Sequence, residues 1–153
     1  MTLTPDVLAK LPLGSTRPAD QAHLLLWDTP DPASLKFLAS YNNAHLVNYR
    51  ENLCQRIPAE DRFLNLHQEL DRELDALKSI CADSPRPVVI LQDCDRLITY
   101  LRWQRGNSER LFWSNLANTR KLPARLWLIL PSVLAPKDPK LWSDTRIQKI
   151  RAF

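Results

Sequence analysis

The chain reads as a three-layer α/β sandwich on a mostly parallel, five-stranded sheet. Three observations carry that expectation. The runs "HLLLW" (His23–Trp27), "PVVIL" (Pro87–Leu91) and "ARLWLIL" (Ala124–Leu130) are almost wholly apolar, as strands covered on both faces must be. Helical signals stand between them, and parallel strands can be joined only by such crossovers. The longest signal, Ala59–Ile80, repeats Phe63, Leu66, Leu70, Leu74 and Leu77 at spacings of 3, 4, 4 and 3, one apolar stripe on a helix. At 153 residues the size is that of one domain. It is expected over 1–153, with a helix and lead-in over 1–20 and a basic C-terminal segment over 133–153.

"TPDVLAKL" opens with a capping Thr4, Pro5 at a first helical position and Asp6 at the positive helix end. "PLGSTRPAD" then breaks the chain before the first strand. "DTPDP" is a turn in which Asp31 caps and Pro32 starts the helix "PASLKFLASY". "AHLVNY" (Ala44–Tyr49) reads as the second strand, and "ENLCQRIP" as a short irregular or helical piece closed by Pro58. In the long helix Glu69, Asp71, Glu73 and Asp75 are assigned to the solvated face. After the "PVVIL" strand come a helix over roughly 96–103, a loop holding Gly106, and a helix over roughly 108–119 with Leu111, Phe112 and Leu116 turned inward. "ARLWLIL" is the fourth strand; "TRIQKIRAF" fits either a fifth strand or a terminal helix. Trp113 and Trp127 are expected in the core, Trp103 and Trp142 half exposed.

Composition excludes several function classes. No apolar run approaches a membrane span, and Met1–Thr4 shows no basic-then-apolar leader, so a cytoplasmic protein is expected. Three cysteines without CxxC spacing (Cys54, Cys81, Cys94) read as free thiols in a reducing compartment, and three dispersed histidines form no metal-ligand pattern. No GxSxG elbow occurs. Charge is uneven: from Arg96 to Phe153 twelve Lys/Arg face three acids (12 − 3 = +9), whereas Met1–Asp95 carries nine against fourteen (9 − 14 = −5). A basic half suits nucleic acid or an acidic partner.

In order and content these motifs resemble the P-loop NTPases of the additional-strand division, which includes the AAA+ and STAND groups. "HLLLW" corresponds to the strand before the phosphate loop and "VVILQDCDRL" to the Walker B strand, while "ARLWLILPS" looks like the sensor strand with Ser132 at the polar position. The resemblance covers roughly residues 20–153 and implies a sheet order 5-1-4-3-2. In size and layout, with an Asn on the second strand of "HLVNYRENLCQRI", the chain is most similar to the small BrxF-type P-loop proteins of BREX phage-defence systems.

The chemistry of such a site is missing from the residues. A phosphate loop needs glycines to let successive N–H groups converge on phosphate, a Lys for the β/γ-phosphates and a hydroxyl for magnesium. The corresponding "DTPDPASLKF" has no Gly, and none occurs between Gly14 and Gly106. Its prolines remove donors, Asp28 and Asp31 place negative charge where phosphate would sit, and Lys36 follows Ser34 in the reverse of the usual order. On the Walker B strand Gln92 stands where an acid would hold magnesium. Asp93 remains where a water-activating acid would be, with Asp93 and Asp95 alternatively capping the next helix and pairing with Arg96.

The sequence therefore predicts a catalytically inactive P-loop-like binding or scaffold protein with no cofactor. The resemblance implies an accessory subunit of a DNA-acting phage-defence complex. Its partners are expected to be other subunits, with DNA or a homo-oligomer also compatible and no membrane. Contact residues are sought in the basic, Trp-bearing half: Arg102, Trp103, Arg105, Arg110, Arg120, Lys121, Lys137, Lys140, Arg146 and Lys149. The alternative is a divergent ATPase completed by a partner chain. A pseudo-receiver domain is a weaker reading, because Trp27-Asp28 offers a single acid at the end of the first strand.

Overall fold

The structure is a computed structural model describing residues 11–15, 17, 20–56, 70–104 and 106–150. The expected N-terminal helix, the first half of the expected 59–80 helix, Pro58, Glu69 and Arg105 lie outside the described residues. Five strands form the sheet: β1 (Ala22–Leu26), β2 (Ala44–Asn48), β3 (Val88–Gln92), β4 (Arg125–Leu130) and β5 (Ile147–Lys149). Their order is β2-β3-β4-β1-β5, which from the other edge reads 5-1-4-3-2, and every pairing is parallel. Of the ambiguous C-terminal segment, Ile147–Lys149 is a strand, entered through a 3₁₀ turn at Asp144–Arg146 and paired to β1 from Leu24↔Ile147 to Leu26↔Lys149.

The helices are α1 (Pro32–Tyr41), α2 (Tyr49–Arg56), α3 (Leu70–Ala82), α4 (Asp95–Trp103) and α5 (Ser108–Ala117). The start of α1 follows the expected chemistry, with Asp31 at the N-cap in extended backbone and Pro32 in the first turn. At its other end Asn42 does double duty. Its Nδ2 donates to Leu38 and Leu11 carbonyls, and its Oδ1 accepts from the Leu13 and Gly14 amides at 2.8 and 3.2 Å. The lead-in turn Leu13–Ser15 is thereby fixed to the end of α1.

The sheet is covered on both faces, which is why its strands carry no polar alternation. On one face Leu24, Leu26, Val89, Leu91, Leu126, Leu128 and Leu130 pack with α3, α4, α5 and Trp142. On the other, Leu25, Val88, Ile90, Trp127 and Ile129 pack with Leu35, Leu38 and Ala39 of α1 and with Leu13. Successive β4 residues alternate between these clusters, as the period of two demands.

Three burial expectations are corrected. Leu111 is exposed, and the inward face of α5 is Phe112, Trp113 and Leu116. Trp142 is buried at 2 % exposure, edge-on to Trp113 with ring centres 5.5 Å apart. Glu73 is also buried, at 1 % exposure: it lies within the stripe Leu70, Leu74, Leu77, three residues after the first and one before the second, so it faces the core. Among the described residues no helix is long and apolar enough to cross a membrane.

Candidate binding site

Ligands of open α/β sheets sit beyond the carboxyl ends of the strands, where strand order reverses. Here that point lies between β1 and β4, and the chain's own carboxylates occupy it. Asp28, just after β1, accepts the backbone N–H of Ser132 at 2.7 Å. Asp31 accepts both the N–H and the hydroxyl of Ser34, at 3.1 and 2.8 Å. The amide at the end of β4 and an amide at the start of α1 are therefore already satisfied by internal anions. Lys36 is exposed on α1. The Ser34 hydroxyl first, then the Ser34 amide, hold the Asp31 carboxyl below its ordinary value. Its cap is complete at neutral pH and is lost as acid protonates the carboxylate below about pH 3.8. Asp31→Ala is therefore expected to lower the urea midpoint at pH 7, with the gap to wild type narrowing below pH 3.8; a gap independent of pH would contradict the cap.

At the ends of β2 and β3, the Asn48 amide brackets two elements. Its Nδ2 donates to Asp93 at 2.8 Å, and its Oδ1 accepts the Glu51 amide at 3.0 Å, at the start of α2. Asp93 has φ 62°, a left-handed conformation that Asp tolerates better than most residues. It is held against β2 and does not cap α4, whose N-cap is Cys94 with no side-chain cap bond. Gln92 is half-buried.

Beneath this crest lies a cluster that sequence reasoning missed. The Tyr49 hydroxyl donates to Glu73 Oε1, and Arg56 donates to both Glu73 oxygens at 2.9 and 3.1 Å. Burial, reinforced by the Glu73 charge, pushes the Tyr49 phenol far above its usual range. Cys94 is fully buried and its thiol is raised by burial, with Asp95 and Glu73 adding to the shift; burial pushes Cys81 up to about 12. Neither is a thiolate nucleophile at neutral pH. Among the described residues no group of three or more His, Cys, Asp or Glu is placed to hold a metal ion.

The basic residues do not form one surface. Arg102, Arg110 and Lys137 come together around a groove of about 360 Å³ between α5 and the 136–141 loop, with Glu109, Trp113, Asp138 and Leu141 also lining it. Two of these cations are already paired. Arg102 meets Glu109 through three contacts of 2.8–3.2 Å and also donates to the Val133 carbonyl at 2.7 Å. Arg110 meets Asp138 by one contact at 3.3 Å. Lys140 is exposed in the adjoining turn and Trp103 is 83 % exposed at the end of α4. Arg120 and Lys121 lie past the far end of α5, beyond roughly 10 Å of helix that follows Arg110. Arg120 donates to the Ala117 and Thr119 carbonyls, and Lys121 gives its backbone amide to Asp20. Lys149 is exposed on the edge strand β5.

Arg146 is not a surface contact. Its guanidinium is buried, donating to the Ala22 carbonyl at 2.7 and 2.9 Å and to the Ala117 carbonyl at 3.0 Å, and it lies 4.5 Å from the Trp142 ring centre. The signal available for the groove's acids was their scarcity: Glu109 and Asp138 are two of the three acids after Asp95, and each has an arginine as partner. No protein-family model matches this chain, and no curated protein matches it.

Proposed function

We propose that this chain is a P-loop-like domain that works by binding, a scaffold or accessory subunit of a multi-protein complex, and not by hydrolysing nucleotide. The observation that carries this reading is the pair Asp28 and Asp31, which hold the Ser132 and Ser34 amides where a phosphate would need free donors. Two carboxylates there repel a triphosphate, and at ~4–6 Å even a screened pair of like charges costs on the order of 1 kcal/mol or more. Gln92 carries no charge to offset magnesium. The resemblance to small BREX proteins and the basic C-terminal half support a DNA-acting phage-defence complex as the setting. Within it a protein partner suits the surface better than a nucleic-acid backbone, because the carboxylates of Glu109 and Asp138 stand among its arginines.

Titration calorimetry with Mg-ATP is expected to give no saturable heat. Saturable binding abolished by Asp93→Ala would overturn the reading in favour of an ATPase, as would such binding seen only when the partner is present.

A further inference from the structure

We infer that the groove between α5 and the 136–141 loop is a docking site for an acidic peptide segment of a partner protein, one carrying an apolar anchor between its carboxylates. This deepens the proposed function and rests on it.

The charges in the groove decide the partner's sign and limit its charge density. Arg102, Arg110 and Lys137 stand against Glu109 and Asp138, so the lining is 3 − 2 = +1. A nucleic-acid strand brings one negative charge per nucleotide and gains affinity by releasing counterions from many cations. Here it would meet two carboxylates. A peptide with two or three spaced acids fits a surface that is only mildly positive and can turn its own backbone N–H donors toward the carboxylates.

The two ion pairs have different roles. Arg102 is held by Glu109 on three contacts and by the Val133 carbonyl, which fixes it as a wall. Glu109 also accepts the Trp113 indole N–H at 3.3 Å, tying that wall to the core. Arg110 has one contact to Asp138, and its side chain is 61 % exposed, the kind of pair that contributes little and exchanges readily. Lys137 is exposed and makes no ion pair among the described residues. Arg110 and Lys137 are thus the two cations ready to accept an incoming carboxylate.

The apolar part of the lining is Trp113, Pro136 and Leu141, and exposed apolar side chains stand around the groove. Five large hydrophobic side chains are exposed among the described residues, and three of them, Trp103, Leu111 and Val133, neighbour Arg102 and Arg110 in sequence or by hydrogen bond. Exposed aromatic and aliphatic residues beside arginines are the usual composition of a protein-binding surface.

The test is selection of random dodecapeptides displayed on phage against the immobilised full chain. Selected sequences are then made as fluorescein-labelled peptides for anisotropy. Enrichment of peptides with Asp or Glu flanking an aromatic or aliphatic residue is expected. Their affinity should fall about tenfold or more in Arg110→Glu/Lys137→Glu and by less in Lys137→Glu, with thermal midpoints unchanged in both. No enrichment, enrichment of basic peptides, or acidic peptides that bind both variants as well as wild type would overturn the proposal. So would a labelled oligo(dT) that binds at physiological salt and is lost in the double variant. Peptides selected to another face would end the groove assignment while leaving the binding-module reading intact; only saturable Mg-ATP binding would remove that reading.

Discussion

Arg146→Ala is expected to cost about 3 kcal/mol of folding stability, among the largest effects for one substitution in this chain. The Arg146 guanidinium donates to the Ala22 carbonyl twice and the Ala117 carbonyl once, and packs on the Trp142 ring, whose N–H donates back to the Arg146 carbonyl at 3.3 Å. Alanine takes both guanidinium donors from the buried Ala22 carbonyl, a loss of roughly 1–3 kcal/mol, and removes a cation–π contact of about 1 kcal/mol, while the Ala117 carbonyl keeps its bond from Arg120. Against this stands the cost of burying a cation that has no carboxylate partner among the described residues. Burial first, and Arg120 second, hold its pKa down at about 10, so the charge itself opposes folding and the net loss is smaller than the sum of contacts. Arg146→Lys should recover at most about 1 kcal/mol, since a single ammonium lacks the fork that spans two carbonyls. Urea denaturation measures both. An alanine variant within about 0.5 kcal/mol of wild type would show that the bonds and the charge cost cancel.

Glu73→Ala comes next, at about 3 kcal/mol, because it strands two groups at once. Arg56 loses a two-contact carboxylate while its side chain is 23 % exposed, and the buried Tyr49 hydroxyl loses its acceptor. Solvent reaches Arg56 and takes up part of its charge, which keeps the cost at the lower end for a broken buried pair. The informative comparison is Tyr49→Phe/Arg56→Met/Glu73→Leu. Replacing every polar member together is expected to be close to neutral, as for other buried ionic clusters exchanged for apolar residues of similar volume. A triple variant as unstable as Glu73→Ala would instead show that the cluster sets the geometry of α2 against α3.

How much was legible in the sequence depended on whether the deciding contact was local. The β1–α1 turn was readable, since Asp31, Pro32 and Ser34 lie within four residues and their capping chemistry needs nothing else. β1, β3 and β4 were readable because their runs are almost wholly apolar, and each lies within one residue of its expected bounds at either end; the short, polar β5 was not. Glu73 carried a local signal that charge type overrode: its position in the Leu70–Leu74–Leu77 stripe outranks the preference of a carboxylate for water once Arg56 and Tyr49 are there to receive it. Arg146 carried no such signal. Its partners Ala22 and Ala117 are 124 and 29 residues away, and only the packing of β5 on β1 brings them together. The same holds for the groove, where a basic stretch in one dimension becomes a nearly neutralised surface in three.

The place of β1 in the sheet has a consequence for how the chain reaches this state. Both of its neighbours come late in sequence: Ala22 pairs with Leu126, a separation of 126 − 22 = 104 residues, and Leu24 with Ile147, a separation of 147 − 24 = 123. During synthesis "AHLLL" leaves the ribosome long before either partner exists, with two open edges and no side chain suited to water except His23. Contacts of such separation make folding slow, and the first half of the chain cannot close its own sheet. β2 and β3 can pair early as a unit, but the centre assembles only when β4 arrives, and β5, latched by Arg146, completes it last. The interval before β4 emerges is when this protein is most exposed to aggregation.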